Sequence, residues 1–129
     1  MKNLKKYYQI PATPQDVFTA LTNPFTIELW TGEKAIMTTK EGDEFSLWGG
    51  DIVGKNIEIQ DGKLLKQEWY FGEEENQDNA SIVTMKLWEV KGGTSVELLH
   101  TNIPDEAFEN IVEGWDNAYF GAIGKLFEI

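Results

Sequence analysis

The sequence predicts an α+β fold: a curved antiparallel sheet of about six strands around one long C-terminal helix. Two features carry this. The last quarter of the chain, Ile103 to Ile129, is the one long segment with an unbroken helical period. Before it, apart from an early helical patch, the chain breaks into short runs separated by compact turn signals, and such short connections favour antiparallel neighbours.

In chain order, Leu4 to Ile10 reads as a first strand closed by Pro11. Thr13 is placed to cap a helix, Pro14 suits its first position, and Val17, Phe18 and Leu21 give it a short apolar face. Asn23-Pro24 ends that helix, and Phe25 to Trp30 allows a further helical turn. Strands are expected at Ala35 to Thr39 and Glu44 to Trp48, around the turn Lys40-Glu41-Gly42-Asp43. Gly49-Gly50-Asp51 and Asp61-Gly62 frame a strand over Ile52 to Gln60, with Leu64 to Phe71 next. The acidic stretch Gly72 to Ala80 is a loop by composition. Ser81 to Val90 and Thr94 to Asn102 flank the turn Lys91-Gly92-Gly93.

The final helix is the anchor of this picture. Phe108, Ile111, Val112, Trp115, Tyr119, Ala122, Ile123 and Leu126 recur at spacings that form one stripe. Glu106, Glu109, Glu113, Asp116 and Lys125 fall on the other side. At 1.5 Å per residue such a helix is roughly 30 Å long, enough to cross a small domain. Strand alternation then supplies its opposite wall. Phe45 and Leu47, the set Leu65, Gln67, Trp69 and Phe71, the set Val83, Met85 and Leu87, and the set Val96, Leu98 and His100 face inward. Trp48 and Trp88 have outward parity, which suits an edge cover or a partner surface.

The 129 residues fit one domain, residues 1–129, with one core. Eleven lysines against 22 acidic residues give a net charge of -11, a field that opposes nucleic-acid phosphates. With no cysteine, disulfides and thiolate chemistry are excluded, and a single histidine makes a His-built zinc site improbable. No apolar run reaches the roughly 18 residues of a membrane span, so a soluble cytoplasmic protein without a membrane partner is expected. HExxH, GxSxG, P-loop and GxGxxG patterns are absent, and no metal, cofactor or enzymatic activity is expected.

Individual residues leave alternatives. His100 reads as a core or rim histidine bonded to a neighbour, or as a polar contact for a ligand. Gln67, inside an apolar strand face, needs hydrogen bonds worth about 1–3 kcal/mol, from backbone, water or a ligand. Asn56 shares the period of Ile52 and Gly54 and joins it. Trp69 and Trp115 read as core that could also line a pocket. Gly114 and Gly121, seven apart in the helix, imply either close backbone approach or space for a ligand or subunit.

The stretches FSLWGGDIVGKN, LLKQEWYF, GGTSVELLHTNIPDE and EGWDNAYFGAIGKLFEI resemble the C-terminal domain of the activator of the ninety-kilodalton heat-shock ATPase chaperone. They resemble its stand-alone bacterial homologues equally, over nearly the whole chain and in the same order. The resemblance implies the START-like helix-grip fold, with two short helices near the N-terminus. It implies a space between helix and sheet that takes an apolar small molecule, with Trp30, Phe45, Asn56, Gln67, Trp69, Met85, Leu98, His100, Trp115 and Tyr119 as candidate walls. It also offers the heat-shock ATPase chaperone as a partner. The eukaryotic activator's N-terminal domain supplies its main contact and a basic activation motif, and this chain matches only the second domain. A few members of the superfamily are enzymes; a cyclase-like role would require His100 in a cleft with a carboxylate within reach.

Overall fold

The computed structural model describes residues 1–71 and 80–128. The acidic loop expected at 72–80 therefore lies, apart from Ala80, outside the described residues. Six strands form one antiparallel sheet: β1 (Lys2–Ile10), β2 (Glu44–Leu47), β3 (Ile52–Gln60), β4 (Leu64–Phe71), β5 (Ser81–Val90) and β6 (Gly93–Ile103). Their spatial order is β1-β6-β5-β4-β3-β2. From β2 to β6 the chain meanders back across the sheet until β6 lies against β1, with Tyr8 opposite Val96. The first strand and the second thus stand on opposite edges, and two helices carry the chain between them.

Those helices are α1 (Pro14–Thr22) and α2 (Pro24–Thr31). Local chemistry sets their ends. The Thr13 hydroxyl accepts from the Asp16 N–H at 3.1 Å, and Pro14 follows at the first helical position. Asn23 both closes α1 and opens α2, its side chain accepting from the Thr26 N–H at 3.1 Å. Gly32, at φ 75°, ends α2 in the left-handed conformation that favours glycine. α1 packs over β5 and β6, and α2 packs against the C-terminal helix.

Ala35 to Thr39 is not a strand. It makes a single bridge, Ile36 with Ser46. Beyond it the Thr38 carbonyl is taken by the Asn56 side chain at 3.1 Å, and the Asn56 N–H bonds the Asp43 carbonyl at 2.9 Å. These bonds replace the ladder a further strand would need. β3 carries a bulge at Ile57, because Asn56 opposes Gln67 while Glu58 opposes Lys66. The extra residue lets both Asn56 and Ile59 turn toward the core.

The expected long helix is also not uniform. A 3-10 turn (Asp105–Ala107) leads into α3 (Phe108–Gly114), a π-helical segment follows (Trp115–Tyr119), and α4 (Phe120–Leu126) completes it. The π segment inserts one residue into the stripe, so Phe120, absent from a strict 3.6-residue period, becomes buried beside Trp115 and Tyr119. Beneath the helix the sheet face is filled. Leu65, Val83, Met85, Leu98 and His100 have no solvent exposure.

Candidate functional site

Polar groups inside this core are joined to one another. The Trp69 indole N–H donates to Gln67 Oε1 at 2.9 Å, and Gln67 Nε2 donates to Asn56 Oδ1 at 2.9 Å. Asn56 Nδ2 then reaches the Thr38 carbonyl, so the chain ends on backbone. Gln67 and Asn56 are both fully buried, and their amides serve the protein's own network. His100 is equally buried, and its Nδ1 accepts from the Trp115 indole N–H at 3.0 Å. That bond puts the proton of the neutral ring on Nε2. Burial lowers the His100 pKa from 6.5 to about 4, so the imidazole is uncharged at neutral pH.

A continuous aromatic assembly surrounds these bonds. Trp69 stacks on Trp115 at 4.9 Å between centroids, and Trp115 stacks on Phe120 at 5.7 Å. Phe120 stacks in turn on Tyr8 at 4.4 Å. Tyr119 lies at the centre, 4.5 Å from Trp115, 4.8 Å from Trp30 and 6.2 Å from Trp48. The Trp30 indole N–H is satisfied by the Ala20 carbonyl at 2.8 Å.

The interior is filled, but its flank is not. A cleft of about 280 Å3 opens between the C-terminal helix and the turn that joins β2 to β3. Asn110, Ile111, Gly114, Trp115, Ala118 and Tyr119 form the helix wall. Trp48, Asp51, Ile52 and Trp69 form the other. The lining is largely apolar, and its volume sits at the low end for small-molecule pockets. A wider depression of about 910 Å3 lies on the outer sheet face among Glu58, Lys66, Lys86 and Glu89, where exposed charge favours water over an apolar ligand.

Both walls of the smaller cleft contain irregular backbone. Trp48 adopts φ 52°, followed by Gly49 at 65° and Gly50 at 107°. A bulky side chain in the left-handed region is strained by about 1–3 kcal/mol. The strain corrects the outward parity expected for Trp48: the chain leaves β2 there and brings the indole against Trp30 and Tyr119. Across from it stands the π segment, whose Trp115 and Tyr119 form part of the helix wall. Tyr119 is 3% exposed, its hydroxyl pKa is raised by burial, and the hydroxyl makes no hydrogen bond to another described residue. A Cβ on Gly114 would meet nothing within 4 Å, so this glycine borders open space, whereas one on Gly121 would stand 2.4 Å from the Asp116 carbonyl oxygen.

Of the residues expected to line a pocket, Trp69, Trp115 and Tyr119 do so. Trp30 supports Tyr119 from behind. Phe45, Asn56, Gln67, Met85, Leu98 and His100 are packed into the core and do not reach the cleft. Sequence reasoning missed Trp48, Asp51, Ile52, Asn110, Ile111 and Ala118 as wall residues. The one available signal was the small-residue flank of the helix, with Gly114 beside Ala118.

An aromatic helix wall laid across a curved antiparallel meander, with two short helices joining its edges, defines a START-like helix-grip domain. The chain matches the family described as "Activator of Hsp90 ATPase homolog 1-like protein" over residues 11–128, and it belongs to that family. It is 28% identical over 126 residues to an activator of 90 kDa heat shock protein ATPase homolog from Dictyostelium discoideum, covering 98% of this chain and 33% of that protein. It is 20% identical over 115 residues to the Mus musculus homolog 1, covering 89% and 34%. The chain thus spans about a third of the length of these relatives. Among solved structures it is similar to an HSP90 activator from Plasmodium falciparum, with TM-score 0.88, 27% identity, and 98% and 96% coverage. An Aha1 dimer from Colwellia psychrerythraea shares the fold at TM-score 0.82 and 18% identity, covering 100% and 98%. Among the described residues no helix is long and apolar enough to cross a membrane.

Proposed function

We propose that this chain is a non-enzymatic binding domain that takes a small, largely apolar molecule in the cleft between Trp48 and the C-terminal helix. The observation that carries this reading is the cleft itself: an apolar space of about 280 Å3 between Trp48 and the helix, bordered by Tyr119, whose hydroxyl makes no hydrogen bond to another described residue. A hydroxyl at the edge of an apolar space can give a ligand one hydrogen bond in exchange for its water. The cleft's volume suits a compact molecule and is too small for a long acyl chain. Thermal-shift and native mass spectrometry against a panel of small aromatic and aliphatic compounds test it. Stabilisation that disappears in Gly114→Leu supports the cleft, and a panel with no hit at millimolar concentration counts against it.

A second reading, docking to a heat-shock ATPase, draws on family membership and on a particular surface. Phe25 and Leu29, one turn apart on α2, are 79% and 73% exposed. An apolar pair on a solvent-facing helix suits a protein groove. Pull-down and ATPase assays with the ninety-kilodalton chaperone, comparing the native chain with Phe25→Asp/Leu29→Asp, test this. Unchanged turnover at saturating concentration removes the idea. A cyclase-like reading has weaker support, since His100 is fully buried and its Nδ1 already accepts from Trp115.

A further inference from the structure

We propose that residues 104–114 are a lid on the cleft, which unwinds to admit a neutral apolar ligand and rewinds over it. This rests on the ligand-binding reading of the same cleft and adds the way in and the charge the ligand must lack.

Trp69, Trp115 and Tyr119 are 3%, 2% and 3% exposed, with ring centroids 4.5–6.1 Å apart. A ligand gains little of their surface unless a wall gives way, and the walls differ in how they are held. On the sheet side Trp48 packs on Trp30 and Tyr119, and the Gly49 N–H donates to the Lys34 carbonyl at 3.1 Å. On the helix side the lid is fixed mainly at its ends. Ile103 before it is fully buried, and Asn102 donates its N–H to Asn3 Oδ1 at 3.2 Å and its side-chain amide to the Ala80 carbonyl at 3.0 Å. Trp115 after it stacks on Trp69 and donates its indole N–H to His100 Nδ1 at 3.0 Å. Between these anchors α3 buries no side chain completely, whereas α4 buries Phe120 and Ile123. Glu106, Glu109, Asn110 and Glu113 are exposed, and among the described residues no side chain of 106–114 makes a hydrogen bond or ion pair. The remaining ties lie at the surface: the terminal amine of Met1 on Asp105 at 3.0 Å and the Lys2 ammonium over the Phe108 ring at 4.9 Å.

A segment with so little buried apolar surface opens locally at a lower free energy than the whole domain. Its hinge is already irregular. The π segment follows the lid, and Gly114 at the junction has nothing within 4 Å of a Cβ position, so it turns without collision. Asn110, Ile111 and Gly114 belong to the cleft wall, so unwinding them widens the space toward Trp69 and Trp115. Asp51 carries the only formal charge among the described lining residues, and none of them is a lysine. An anionic head group would enter beside a carboxylate with no counter-charge, in a chain of net charge -11.

Hydrogen-exchange mass spectrometry of the intact chain, with N-phenyl-1-naphthylamine as a neutral fluorescent probe, is the test. Amides of Phe108–Gly114 are expected to exchange roughly tenfold or more faster than those of 120–123, and saturating probe should slow them. Gly114→Ala, which gains helix propensity in open space, should slow both lid exchange and probe association by about threefold to fivefold. The sulfonated analogue 8-anilino-1-naphthalenesulfonate should bind roughly tenfold more weakly than the neutral probe, and Asp51→Asn should narrow that gap. A lid exchanging as slowly as 120–123 overturns the proposal and leaves the cleft reading intact. Probe binding with lid exchange unchanged, or rates indifferent to Gly114→Ala, also overturns it, because the ligand then enters without the lid. Equal binding of the two probes by a chain with native circular dichroism refutes the charge selection. A fast-exchanging lid with no binding of either probe removes the ligand-binding reading, and the lid's role with it.

Discussion

Two glycines seven residues apart in the C-terminal helix should respond to alanine in opposite directions. Gly114 has helical backbone angles and open space where a Cβ would stand, with nothing within 4 Å. Alanine there gains the helix propensity that glycine lacks, up to about 1 kcal/mol. For a domain of this size that raises Tm by about 3–5 °C. Gly121 follows the π segment, and its Cβ would lie 2.4 Å from the Asp116 carbonyl oxygen, 0.6 Å inside the 3.0 Å floor of real Cβ contacts. That neighbour is backbone five residues back, so relief requires the π turn to move. Overpacking of this kind costs about 1–3 kcal/mol, of which at most about 1 kcal/mol is returned by propensity. The net expectation is a loss of about 1–2 kcal/mol. Urea denaturation of the two variants, with circular dichroism as the readout, measures both. A Gly121→Ala chain as stable as the native one refutes the argument, because a regular α-helix would carry Asp116 away from that Cβ.

Three further outcomes follow from the buried and bridging groups. His100, with its pKa lowered from 6.5 to about 4, binds a proton in the unfolded chain before it does so in the folded one. Its contribution is therefore complete above about pH 6.5 and is lost as pH falls toward 4, on the order of 3 kcal/mol in all. The stability gap between native protein and His100→Gln should narrow over that window in urea titrations; a gap independent of pH contradicts it. Gln67→Leu keeps the volume but removes the acceptor of Trp69 and the donor to Asn56, and should cost about 2–4 kcal/mol by the same denaturation assay. Asp116 accepts from Lys6 and Tyr8, which together hold its carboxyl below the ordinary range and tie the helix to β1. This contact is half exposed, so Asp116→Ala should cost no more than about 1 kcal/mol at low salt, and less in 1 M salt.

How much of this was legible in the sequence depends on whether a residue obeys a regular period. β4 and β5 match their expected bounds, and the inward sets Leu65-Gln67-Trp69, Val83-Met85-Leu87 and Val96-Leu98-His100 are buried because alternation is exact while the ladder is regular. Thr13-Pro14 and Asn23-Pro24 were readable because capping is a contact among near neighbours. Departures arise where backbone leaves its period. Phe120 was missed because a π turn adds a residue to the stripe. Ala35 to Thr39 was over-read as a strand because, past the Ile36–Ser46 bridge, the Asn56 side chain takes the Thr38 carbonyl that a strand would have used. Trp48 was assigned outward because nothing local announces a tryptophan at φ 52°.

The bend at Trp48 and the π turn face each other across the cleft, which is why the site escaped the pattern that found the core. With Trp48 extended, its indole would leave the cleft and one wall would be missing. Without the π turn, Phe120 would leave the face that Trp115 and Tyr119 share at four-residue spacing and could not pack on Tyr8. Each irregularity carries a local cost, and neither is needed to bury Leu65, Met85 or Leu98, which regular strands bury already. Both walls of the one aromatic cleft thus keep a backbone irregularity that the regular core does not need, which is the feature that the proposed binding role would explain.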